Sequence, residues 1–170
     1  MRQVAIAGLA LGITALAFVG WRWCGVETTV VLVRHADRAP GQKTDELSAS
    51  GAARSRELAH VLEKSGVSAI IHSDTQRAAQ TAAPVAAMAG LTPIVLPAKD
   101  TAAVAEEVRK HPGETLLVIG HSNTVPAIIA ALGGPQLPDI DDAEFDNLFV
   151  LSQCRCGARG RLLKLQYGAP

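Results

Sequence analysis

The chain has 170 residues, 48% apolar and 19% charged, which suits one domain with a full core and excludes wholesale disorder. Sixteen Lys and Arg balance sixteen Asp and Glu without a basic run, which excludes a broad nucleic-acid-binding surface. Three cysteines with no C-x-x-C pair are too few for a disulfide scaffold and give no structural zinc pattern.

The first sharp signal is an uncharged run from Val4 to Trp21, flanked by Arg2 and Arg22. As a helix it would span about 27 Å, just short of a hydrocarbon core of roughly 30 Å. Trp21 and Trp23 stand where interfacial aromatics would anchor it, while Ala15-Leu16-Ala17 offers an A-x-A-like cleavage site. Residues 1–24 therefore read as a signal peptide or an N-terminal membrane anchor, both open, and 25–170 as the domain. The expected location is outside the cytoplasmic membrane: periplasmic, or anchored and facing outward, with membrane contact only through this segment. No lipobox precedes Cys24. Residues 1–23 hold two arginines and no acid, so the remainder carries a formal charge of −2.

From Glu27 onward strand and helix patterns alternate. Thr28 to Val33 is a continuous β-branched run, as in a strand covered on both faces. Ser48 can cap a helix with a Leu58, Val61, Leu62 stripe that stops at Gly66. Ala69 to Ile71 is a second strand, and Gln76 to Ala89 an Ala-rich helix that Pro84 should bend. Pro93 to Leu96 and Thr101 to Lys110 form the next strand and helix, followed by a strand from Thr115 to Ile119. A helix then runs from about Asn123 to Leu132, with Pro126 in its first turn. After an acidic loop, Leu148 to Leu151 and Arg161 to Gln166 read as closing strands. The alternation predicts an α/β fold, a three-layer α/β/α sandwich with a mostly parallel sheet.

Ligands of open α/β sheets collect at the carboxyl ends of the strands. There this chain carries Arg34-His35-Ala36-Asp37, then Ser73-Asp74-Thr75-Gln76-Arg77, then Gly120-His121-Ser122-Asn123. Two arginines on one rim suit an oxyanion, because guanidinium forks match phosphate oxygens. Arg77 and Ser122 also fall at helix starts, which favour anions. Ser122 either touches such an anion or caps the following helix. A neutral histidine beside the site can attack phosphorus. His60, His72 and His111 read as surface or satisfied histidines. The five acids between Asp139 and Asp146 read as a solvated loop, or else as a rim that repels highly charged substrates.

Val31-Leu32-Val33-Arg34-His35-Ala36 resembles the R-H-G signature of the histidine phosphatase superfamily. Leu47-Ser48-x-x-Gly51 is similar to that family's L-[ST]-x-x-G segment. Ser73-x-x-x-Arg77-Ala78-x-Gln80-Thr81-Ala82 and Gly120-His121-Ser122 are similar to its second and third blocks, in the family's order. The resemblance implies a phosphoglycerate mutase-like fold, with a six-stranded sheet containing one antiparallel strand. It implies a metal-independent phosphomonoesterase with no cofactor. His35 would be the nucleophile and become phosphorylated, while Arg34, Arg77 and His121 hold the phosphate oxygens. Ala36 replaces the usual glycine, and its methyl should narrow the site slightly. The general acid falls to Asp100, in the loop after the third strand, or to Asp146, before the antiparallel strand; Asp100 could instead cap the next helix. In an oxidising compartment the resemblance also implies a disulfide from Cys24 to Cys154 or Cys156.

The partner is then a small phosphate ester or a phosphorylated envelope component outside the cytoplasm. The alternatives are a protein phosphohistidine phosphatase, an envelope-sugar phosphatase, or a phosphate-binding module with little turnover. The chain lacks room for the inserted segments of cofactor-dependent mutases. Neither the physiological substrate nor the oligomeric state follows from the sequence.

Overall fold

A computed structural model describes residues 27–38, 45–154 and 160–168. The apolar N-terminal segment lies outside them, as do Cys24 and Cys156. Among the described residues no helix is long and apolar enough to cross a membrane.

Among the described residues six strands and four helices follow one another as β1 (Glu27–Arg34), α1 (Ala49–Leu62), β2 (Val67–Ser73), α2 (Gln76–Ala89), β3 (Ile94–Leu96), α3 (Thr101–Arg109), β4 (Thr115–Gly120), α4 (Thr124–Ala131), β5 (Asn147–Cys154) and β6 (Arg161–Gln166). They form one sheet in the order β3-β2-β4-β1-β5-β6. β1 to β4 pair in parallel, while β5 runs antiparallel to both β1 and β6. β5 is thus the one reversed strand of an otherwise parallel sheet. The Cys154 position of β5 pairs with Glu27 at the start of β1.

Alternation along β1 and β4 separates two apolar layers, because successive side chains point to opposite faces. Val31, Val33, Leu117 and Ile119 face α1 and α2, packing with Leu58, Leu62, Ala78, Ala82 and Val85. Val30, Leu32, Leu116 and Val118 face α3 and α4, packing with Val104, Val108, Val125, Ile128 and Ile129. The result is the expected three-layer sandwich. Most of its inner side chains are branched aliphatics, which fill the space between the layers despite the scarcity of aromatics.

Element boundaries differ modestly from the sequence expectation. β2 extends from Val67 to Ser73, beyond its most apolar centre. α1 ends at Leu62, and a turn follows in which Gly66 adopts φ 72°. α2 runs unbroken through Pro84 and closes on Gly90 at φ 66°, a left-handed cap that glycine supplies without a Cβ clash.

The sheet register fixes the functional rim. Arg34 pairs with Gly120, and His72 with Ile119, so β1, β2 and β4 end side by side. Their following residues therefore converge although they are far apart in sequence. The segment after β1 is clamped to α1 at Gly51, where a Cβ would stand 2.1 Å from the Asp37 carbonyl oxygen. Only glycine permits that approach. Asp37 itself accepts from Arg54 Nε at 2.6 Å, and Arg54 Nη1 donates to the Tyr167 carbonyl at 3.1 Å.

Candidate active site

A pocket of about 290 Å³ opens at this rim, lined among others by Arg34, His35, Arg77, His121 and Ser122. A larger cavity of about 490 Å³ lies elsewhere, against Gly133, Gly134, Pro135, Gln136, Gly160 and Leu162. Its described lining includes no ionisable side chain, so the acid–base chemistry belongs to the first pocket.

His35 is 4% exposed and follows the last residue of β1. Its backbone N–H donates to the Gly120 carbonyl at 2.9 Å, continuing the ladder by one bond. Its Nδ1 lies 2.9 Å from the Ala36 carbonyl oxygen. A carbonyl can only accept, so Nδ1 carries the proton and Nε2 keeps its lone pair. Burial holds the ring well below the ordinary histidine pKa, at about 3, and Arg77, His121 and Arg34 push the same way against the Ala36 bond. His35 is a neutral imidazole with a free basic nitrogen.

His121, just past β4, has the opposite tautomer. Its Nδ1 lies 3.3 Å from Arg77 Nη2, which has only hydrogens to offer. Nδ1 is therefore the acceptor, and Nε2 bears the proton. Burial and the Arg77 charge both lower its pKa, so this ring too stays neutral. The two rings meet edge to face at 5.3 Å between centroids.

Arg34 and Arg77 supply the charge. Arg34 Nη1 donates to the backbone carbonyls of Asp141, Asp142 and Glu144 at 2.8, 3.1 and 3.1 Å. Its guanidinium carbon stacks 4.1 Å above the Phe145 ring centroid. Arg77, in the first turn of α2, is paired through Nη1 with Asp45. Four side-chain polar atoms among the described residues are buried without a hydrogen-bond partner, and three belong here: Arg34 Nε, Arg77 Nε and His121 Nε2. Buried donors normally find partners, so three unsatisfied donors around one neutral imidazole mark a site built for an anion's oxygens.

The remaining sequence candidates separate. Ser122 lines the pocket, while Asn123 takes the N-cap position of α4, so Ser122 is not the cap. Asp100 does not join the cluster: it is exposed and caps α3, its Oδ1 accepting from the Ala103 N–H at 2.9 Å. Asp146 does not join it either, accepting instead from Gln166 at 2.8 Å. Every Asp and Glu of the chain lies within the described residues, and Asp142 is the one that lines this pocket. Ala36 corrects a further expectation: it is fully buried and absent from the lining, so its methyl does not narrow the site. The acidic loop is more than a solvated stretch, because its backbone and Phe145 hold Arg34.

Sequence reasoning gave one supporting residue, Thr81, only as a motif position and passed over two others. Thr81 Oγ1 accepts from the Ala36 N–H at 3.0 Å and donates to the Arg77 carbonyl at 2.7 Å, tying β1 to α2. Phe145 and Asp45 belong to no motif block and touch the arginines only through the fold.

Comparison with known proteins agrees with this geometry. Residues 30–100 match the model of the Histidine phosphatase superfamily (branch 1). No curated protein matches the sequence. Among solved structures, mycobacterial glucosyl-3-phosphoglycerate phosphatase is similar at TM-score 0.61 and 20% identity, over 85% of this chain and 100% of that one. Phosphoglycerate mutase from Plasmodium falciparum is similar at TM-score 0.56 and 22% identity, over 85% and 92% of the two chains. A protein from Agrobacterium tumefaciens provisionally named phosphohistidine phosphatase SixA is similar at TM-score 0.54 and 22% identity, over 84% and 98%. These likenesses establish a shared fold, and the family match covers the strand, loop and helix that carry Arg34, His35 and Arg77. Residues 30–100 thus resemble the superfamily's first branch in sequence, and the chain shares its fold with these solved structures.

Proposed function

We propose that the chain hydrolyses phosphate monoesters through a phosphohistidine on His35, without a metal ion. One observation carries this reading: a buried, neutral imidazole with an unprotonated Nε2 faces three unpartnered donors, Arg34 Nε, Arg77 Nε and His121 Nε2. Nε2 attacks phosphorus in line, the ester P–O bond breaks, and the leaving oxygen takes a proton. The three donors stabilise the charge that builds on the equatorial oxygens. Water then attacks phosphorus, the P–N bond breaks, and inorganic phosphate leaves with His35 restored. Among the described residues no group of three His, Cys, Asp or Glu side chains is arranged to hold a metal ion. Turnover of an aryl phosphate in excess chelator tests metal independence. Alkaline quench, which preserves the acid-labile P–N bond, should trap labelled phosphate on wild-type protein and none on His35→Ala; label persisting on that variant would overturn the assignment.

A second reading concerns the leaving group. Neither Asp100 nor Asp146 reaches the pocket, and Asp142 is an exposed rim residue. A site with no enclosed carboxyl acid favours substrates whose leaving atom departs readily, which keeps a protein phosphohistidine beside a small ester such as an envelope sugar phosphate. Comparing an alkyl with an aryl ester decides this: a strong preference for the aryl ester supports the readily departing group, and equal rates remove it. The uncharged run before Trp23 supports action outside the cytoplasmic membrane, where fractionation of the full chain should find it.

A further inference from the structure

We infer that Asp45 is a positioning residue that fixes the Arg77 guanidinium and, through it, the tautomer of His121; the inference rests on the phosphatase reading only for its kinetic arm. Asp45 lies just before α1, outside the residues that line the pocket. Its Oδ2 accepts from the Gln76 N–H at the start of α2 at 2.8 Å, and its Oδ1 pairs with Arg77 Nη1. Burial alone would raise the carboxyl pKa, but the Gln76 N–H and the Arg77 charge outweigh it and hold Asp45 ionised. Two contacts to one helix start leave the carboxylate little freedom.

The consequence passes along the guanidinium. With Nη1 on Asp45 and Nη2 on His121 Nδ1 at 3.3 Å, the Arg77 plane is held from two different elements. Nε is one of the donors these contacts leave, and it is buried without a partner. Asp45 thereby reserves Nε for the ligand. Arg77 Nη2 is also the hydrogen-bond partner of His121 Nδ1, and so the group that keeps the His121 proton on Nε2, where a phosphate oxygen can meet it. If Asp45 is removed, Arg77 keeps only the longer contact to His121 and can turn toward the ligand or the solvent. His121 is then free to move its proton to Nδ1, and the donor at Nε2 is lost for that fraction of molecules.

Asp45 also places a negative charge against Arg77, the group that by the proposed function meets the anion, and this makes its signature distinctive. Removing the charge relieves repulsion of phosphate while it loosens the machinery, so binding and turnover should move in opposite directions.

The test uses the full chain as wild type, Asp45→Ala, Asp45→Asn and Asp45→Glu, with folding checked by circular dichroism. Nitrogen NMR of His121 should show Nδ1 as the unprotonated ring nitrogen in wild type and a mixture of tautomers in Asp45→Ala. Turnover of an aryl phosphate should fall by roughly tenfold to 10²-fold in Asp45→Ala, while inorganic phosphate inhibits at several-fold lower concentration. Asp45→Glu should recover part of the turnover. Should Asp45→Ala fail to fold, Asp45→Asn, which keeps an acceptor for Arg77 without the charge, should still lower the inhibitory phosphate concentration. A wild-type tautomer pattern in Asp45→Ala, or turnover and phosphate binding weakening together, would overturn the inference. A tautomer change in Asp45→Ala, with wild-type protein turning over no phosphate ester, would sink the phosphatase reading and leave the positioning role standing.

Discussion

The neutrality of His35 has a consequence that is measurable without any substrate. Its pKa is lowered from 6.5 to about 3 by burial, so between those values the unfolded chain binds more protons than the folded one. Stability should therefore be complete above the unfolded value, decline as pH falls through that window, and be lost as it approaches the folded value. Urea midpoints in His35→Gln should fall less steeply over this range; slopes equal to wild type would contradict a neutral, buried His35. The same neutrality predicts that protonation of His35 does not set the acid limb of the activity profile until well below pH 6.5. Under the proposed function Arg77 would contribute in another way, through a donor placed in advance for the transferring phosphoryl group. Arg77→Ala should reduce kcat/KM by on the order of 10²-fold or more. A loss of only threefold or less, roughly 0.6 kcal/mol, would place Arg77 away from the phosphate.

At the scale of elements, the motif blocks hold one another in place. Gln80 Oε1 accepts from the Leu47 N–H at 2.8 Å, and Thr81 joins the Ala36 N–H to the Arg77 carbonyl. Two consecutive residues of α2 thus bind both the segment at Ala36 and the segment at Leu47. Thr81 is fully buried, so Thr81→Val should strand the Ala36 N–H and cost about 1–3 kcal/mol of stability. Activity should drop with it, as His35 loses its reference to Arg77; unchanged stability by urea melts would refute the tie. These blocks were legible in the sequence because their side chains do specific work at fixed separations along the chain. Arg34's partners were not, since three backbone carbonyls more than 100 positions away leave no residue-type signature. Asp45 was hidden for a related reason: a lone acid in a polar loop looks solvated until the fold sets it against α2. Asp100 shows the reverse, because an acid immediately before a helix can cap it, and here capping won.

Across the whole molecule, the pocket gathers groups from the end of β1, the start of α2, the turn after β4 and the loop before β5. A ligand that binds only this assembled state stabilises the entire fold. At a hundredfold excess over its Kd, inorganic phosphate or vanadate should add about 2.7 kcal/mol and raise Tm by several degrees. Arg77→Ala should lose most of that increase while keeping a Tm of its own, because Arg77 lies outside both apolar layers. A rise of the same size in the variant would show the anion binding elsewhere. The layered sandwich was readable from the alternation of strand and helix patterns, and the one antiparallel strand only from the family resemblance, whereas the strand order and the long β2 were not, β2 because its ends carry Val67-Ser68 and His72-Ser73.

The grip of Arg34 on the loop before β5 bears on how such an enzyme could diversify. Arg34 Nη1 holds carbonyl oxygens, which every amino acid provides, so the anchoring demands almost nothing of the side chains at 141, 142 and 144. Those side chains are exposed, and Asp142 already reaches the pocket wall. Under the proposed function, substrate preference can therefore drift by substitution along this rim while Arg34 keeps its place. Arg34 thereby joins the buried His35, the next residue, to a replaceable surface.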